Sequence, residues 1–125
     1  MKPLIAAACA AAVLSAGAAQ AQSRDANSAQ DIADMQCMAT FALIGASGDS
    51  DVQVMAGMAL LYHLGRLEGR APRVNWLQRF ETWMRNLGDD KIMAEVAAHE
   101  QRCLDDFGRK SDELGRSGER MSNGA

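Results

Sequence analysis

No single chemistry is written out in this chain. It lacks a Gly-rich phosphate loop, an H-E-x-x-H helix, a C-x-x-C pair and a G-x-S-x-G elbow, the arrangements that set phosphates, zinc, redox thiols or an activated serine in place. Its two histidines, His63 and His99, lie on separate segments. His99 and Glu100 are adjacent, and neighbours on a helix point about 100° apart, so they do not converge as an acid–base pair. Base is not in excess: 13 Lys and Arg stand against 16 Asp and Glu, a formal charge of −3. A general nucleic-acid binder would be basic. Strand-period segments, internal repeats and long low-complexity blocks are missing as well. The expectation is an all-α protein that is not an enzyme and carries no cofactor.

The chain does contain an export signature. Met1-Lys2 is a short positive start, Leu4 to Ala19 is small or apolar without charge, and Ala19-Gln20-Ala21 ends the segment. That is the pattern of a signal peptide cleaved before Gln22. A lipoprotein acylated at Cys9 is disfavoured by the short apolar run before it. Cleavage removes Lys2 and Cys9, leaving about 104 residues, one base fewer, and a formal charge of −4. This length suits one domain. The expected location is periplasmic or secreted, with no membrane contact after cleavage. Two cysteines remain, Cys37 and Cys103, and an oxidising compartment favours their only possible pairing. Closing so long a loop contributes on the order of 4 kcal/mol in the chain-entropy model. The rival reading is a soft-metal site of Cys37, Met35, Met38, His99 and Cys103.

Four helices are expected over 29–114. Residues 22–28 and 115–125 are polar and read as disordered ends. Ser28 caps the first helix, Ala29 to about Ile44, with Asp31 in the capping-box position. Gly45 and Gly48-Asp49-Ser50 form the loop. Ser50 to Gln53 is a capping box for a second helix that ends near Glu68. Val54 to Tyr62 carries no charge and is far short of the ~18–20 apolar residues of a membrane span, so it reads as the central buried helix, with Gly57 marking a close approach. Pro72 forbids continuation. Asn75 caps a third helix whose stripe is Trp76, Leu77, Phe80, Trp83, Met84 and Leu87, ended by Gly88. The fourth begins at Asp89 or Asp90, presents Ile92, Val96, His99, Cys103 and Phe107 on one face, and runs to about Leu114. The expected architecture is a four-helix domain with the disulfide tying the first helix to the last.

Two constellations qualify as candidate sites. Met35 and Met38 form one M-x-x-M and Met55 and Met58 another, each pair on one helix face. Both lie in apolar runs, which favours core filling. A greasy binding groove and a copper site are the alternatives. The second constellation is Tyr62 with Arg66, Arg70 and Arg73. Guanidiniums beside an aromatic can grip a carboxylate or phosphate, whereas cations at a helix C-terminus can also simply complement its dipole.

The layout, with Cys37 in the first helix and Cys103 in the last, resembles small exported helical proteins with one terminal-to-terminal bridge. These are the HdeA-type periplasmic acid-stress chaperones and the Tai-type immunity proteins that neutralise type VI secretion effectors. The Phe41–Asp49 and Leu64–Pro72 stretches are similar to uncharacterised exported alphaproteobacterial proteins. The resemblance implies a non-enzymatic domain that binds another protein or peptide, either through a preformed surface or by loosening and exposing its core. From the residues alone, and not from the resemblance, the contacts expected are Tyr62, Arg66, Arg70, Arg73, Trp76 and Trp83. Copper binding at the methionine pairs and self-association are the competing classes.

Overall fold

The computed structural model describes residues 28–124. The expected signal segment 1–21, Cys9 within it, and residues 22–27 lie outside the described residues. Four helices follow in order: α1 Ala29–Ser47, α2 Ser50–Arg70, α3 Trp76–Leu87 and α4 Asp89–Asn123. The domain is all-α, and a Cys37–Cys103 disulfide joins α1 to α4 across a sequence separation of 66.

Local chemistry sets the helix starts. Ser28 Oγ accepts from the Asp31 backbone N–H at 3.2 Å, and Asn75 Oδ1 accepts from Gln78 N–H at 3.1 Å. Each satisfies an amide that has no partner inside its helix. The cap of α2 is Asp49 rather than Ser50. Its Oδ1 accepts from Val52 N–H at 3.1 Å, while Gln53 Nε2 reaches back to the Gly48 carbonyl. A carboxylate also complements the positive end of the helix dipole, which favours it over the hydroxyl one residue later. Gly88 ends α3 and begins α4 at φ 76, a conformation that costs glycine little.

The order of packing differs from expectation. The central helix is α1, not α2. Met35, Cys37, Met38, Ala39 and Phe41 are buried there, and α1 packs against both α2 and α4. Only the Ala56, Ala59, His63 and Leu67 side of α2 is buried; Val54, Met55, Met58 and Leu61 face solvent. The close helix approach is made by Gly45, where a Cβ would stand 3.2 Å from Ala56 Cβ. Gly57 has open space around it. Helix α1 continues through Gly45 to Ser47 instead of stopping at Ile44, so this glycine marks a close approach and not a break.

Two apolar clusters result. One joins Cys37, Phe41, Ala56, Ala59 and Cys103. The other joins Met35, Met38, Leu67 and Trp76, with Phe80 and Trp83 packed against it. Helix α4 runs to Asn123, so the expected disordered tail from Gly115 is helical. No proline interrupts it, and the exposed Lys110–Glu113 pair at i,i+3 supports the turn that leads into this segment. No described helix is long and apolar enough to cross a membrane.

Candidate functional site

Helix α1 brings two acids into its buried face. Asp31 and Asp34 are each about 2% exposed, one turn apart and in line with Met35 and Met38. Helix α2 answers with His63, Arg66 and Arg70 at matching spacing. Asp34 Oδ1 lies 2.7 Å from His63 Nδ1, and Asp34 Oδ2 accepts from Arg70 at 2.6 Å. Arg70 Nε donates to Asp31 Oδ1 at 2.8 Å. Arg66 stands 3.3 Å from Asp34, pairs with Asp106 of α4, donates to the Tyr62 hydroxyl and lies over its ring. Asp31 thus spends its carboxylate on Arg70 and not on a capping box. Burial by itself would raise the Asp34 carboxyl, but the hydrogen bonds from His63 and Arg70 and the charges of Arg66 and Arg70 hold it below its ordinary 3.8.

This network fixes what its members can do. An ionised carboxylate only accepts, so His63 donates from Nδ1. That is how an orienting acid prepares a general base. Here, however, the ring is fully buried, stacked by Phe41 and edged by Tyr62, and Nε2 has no hydrogen-bond partner. No substrate can reach it in this conformation. Arg66 and Arg70 are likewise committed to Asp31, Asp34 and Asp106, which removes them as free grips for an outside anion. Asp31, Asp34 and Asp106 were the residues missed. The signal for Asp31 and Asp34 was present as two acids on the face of α1 that otherwise carries methionine and cysteine; Asp106, on α4, had none.

The other expected contacts are scattered. Trp76 is 1% exposed and donates its indole N–H to the Ala71 carbonyl at 3.0 Å, so it is core and not a contact. Trp83 is half-buried on a shallow, open groove beside Val74, Gln78 and Arg79. Arg73 is exposed in the turn before α3. The methionine pairs divide: Met35 and Met38 are core at 1% and 0%, while Met55 and Met58 are each 55% exposed. The disulfide rules out Cys37 and Cys103 as thiolate ligands. Among the described residues no three His, Cys, Asp or Glu side chains are grouped to hold a metal ion.

What remains is an apolar cleft between α1, α2 and α4. Phe41, Ile44 and Ala56 form its floor, and Met55, Leu104 and Phe107 its walls, with Ser111 and Asp112 at one edge. Phe107 meets Phe41 edge-on at 5.6 Å. The volume is about 240 Å³, below the ~300–1,000 Å³ of small-molecule sites. It suits one or two apolar side chains of a larger partner better than a whole cofactor. Met55 on the wall is flexible and polarisable, and it can adapt to what enters.

No family model matches this chain, nor does any curated protein or solved structure.

Proposed function

We propose that this is an exported, non-enzymatic helical domain that binds another protein or peptide, and that the partner inserts an apolar side chain into the cleft walled by Met55, Leu104 and Phe107. The observation that carries this reading is the cleft's combination of a rigid aromatic floor with wall residues left in water. Met55 is 55% and Leu104 41% exposed. Binding energy concentrates where an anchor fills a desolvated pocket. The floor is held in place by the adjacent disulfide, which favours the preformed surface of an inhibitor or immunity protein over a chaperone that must loosen. A photo-crosslinking residue at Leu104 tests it in an exporting host, with the same residue at Glu119 as control. The expected result is a discrete adduct from position 104 alone. Identical products from both positions, or none, would sink the reading.

Soft-metal binding is the second reading. Met55 and Met58 present two accessible thioethers one turn apart. Titration with Cu(I) against a weak chelator decides it: retention of copper that Met55→Leu abolishes supports it, and no retention ends it.

A further inference from the structure

A groove of about 410 Å³ runs along α3 where that helix meets Met35 of α1. It shares no residue with the cleft walled by Met55, Leu104 and Phe107. Its size falls among small-ligand sites of ~300–1,000 Å³, although it is shallow and open. The α3 wall is Asn75, Arg79, Trp83 and Asn86, each three or four residues from the next, so successive turns set them on one helix face. Gln78 flanks them. Among the described residues Arg79 is the one charged side chain lining the groove; Glu81 and Arg85 of the same helix do not line it.

These groups are held in place while their binding atoms stay unspent. The Arg79 guanidinium lies 5.8 Å over the ring of Trp76, and that indole is itself fixed by its bond to the Ala71 carbonyl. Stacking orients the guanidinium plane and leaves its N–H edge available. Arg79 makes no ion pair among the described residues. Trp83 stacks on Phe80 at 6.2 Å and is half-buried, so part of its ring is packed and part faces the groove. The side-chain amides of Gln78 and Asn86 are exposed and enter no hydrogen bond among the described residues. Asn75 spends its oxygen capping α3 and keeps its NH₂. Each amide group carries donors beside an acceptor.

One oriented guanidinium matches one carboxylate. An indole face matches a flat surface of C–H bonds, and amides with both donor and acceptor match hydroxyls. A sugar acid carries all three on a single ring. An apolar peptide side chain would stay in water in so shallow a groove. Along the helix axis Trp83 stands about 6 Å from Arg79 and about 4.5 Å from Asn86, the scale of one pyranose. We propose that this groove binds an acidic sugar of the uronic-acid class. Its carboxylate meets Arg79, its ring lies on Trp83 and its hydroxyls meet Asn86, while Asn75 and Gln78 reach the next unit of an oligomer. The site is separate from the cleft, so it stands or falls apart from the partner proposed there.

Heteronuclear NMR on the exported protein tests it, with trigalacturonate as the probe, maltotriose as the neutral sugar and triglutamate as the charged peptide. The expected result is a saturable shift of the Trp83 indole N–H and the Asn86 side-chain amide with trigalacturonate, in the millimolar range, and with neither of the others. Arg79→Gln removes the charge, and Asn86→Asp sets a second anion beside the carboxylate; each weakens binding about tenfold or more. Asn86 is exposed, so its variant keeps the fold whatever the loss of Arg79 does to packing on Trp76, and circular dichroism checks both. No saturable shift overturns the proposal. So does equal binding of triglutamate, which needs charge alone, or of maltotriose, which needs no guanidinium. Undiminished binding by folded Asn86→Asp overturns it as well.

Discussion

Asp34 and His63 meet at 2.7 Å in the interior of the α1–α2 interface, with the imidazole wholly buried and the carboxylate 2% exposed. The same carboxylate takes Arg70 on its other oxygen. One side chain thus holds an aromatic ring and a guanidinium in register, and the interface depends on its charge.

Replacing Asp34 with Asn leaves Arg70 and Arg66 without their shared anion in a half-buried setting. Breaking a buried pair in this way costs about 3–5 kcal/mol. Urea denaturation should show Asp34→Asn less stable by that order at neutral pH, with Asp31→Asn less affected because Arg70 keeps Asp34. Equal effects from the two variants would argue against Asp34 as the hub.

Acid should erase that difference. The folded-state carboxyl of Asp34 lies below its ordinary 3.8, so it contributes stability that is present above pH 3.8. That contribution is lost as pH falls through the lower folded value. Melting temperatures followed from pH 7 downward should therefore converge for the parent and Asp34→Asn below about pH 3.8. A gap that persists undiminished at pH 2 would contradict the assignment.

The disulfide closes a loop of 66 residues, for which the chain-entropy model gives about 4 kcal/mol. A Cys37→Ser, Cys103→Ser double variant should lose about this much in chemical denaturation, a large share of the stability of a domain this size. Retention of full stability would place the bridge among the ornaments of the fold.

Two glycines should respond differently. Gly45→Ala brings a methyl to 3.2 Å from Ala56 Cβ, and crowding there should offset the ~1 kcal/mol that alanine gains in helix propensity. Gly57→Ala meets open space and should gain up to about 1 kcal/mol from helix propensity. Thermal melts of the two variants read this directly.

Mild peroxide separates the methionine pairs. Met55 and Met58 are exposed and should form sulfoxide early, while Met35 and Met38 stay reduced until the domain opens. Peptide mass spectrometry gives the order. Early oxidation at Met38 would mean that the α1 core is reachable.

Helix number and the disulfide were readable from local information. Caps at Ser28 and Asn75, the stop at Pro72 and the turn at Gly88 each act through bonds within a few residues, and two cysteines admit only one pairing. Periodicity does not reveal which helix lies at the centre. Both α1 and α2 carry long uncharged runs, and it took the packing of α1 against both α2 and α4 to show that α1 is wrapped and α2 half open. The α4 extension was misjudged for a related reason. Gly115 and Gly118 lower helix propensity without forbidding the helix, so composition pointed to a coil that the structure does not have.

The site shows the same division. Arginines in a row on α2 were visible in the sequence, as were methionine pairs on α1 and α2. Their partners were not, because Asp31, Asp34 and Asp106 come from helices 36 to 40 residues away along the chain. Sequence alone determined the four helices, the caps that start α1 and α3, and the one possible bridge, all set by short-range bonding and composition. Tertiary structure decided which charges are spent internally, which methionines are core, and where apolar surface is left over. Those outcomes depend on which faces meet when the helices pack, and no local pattern carries that information.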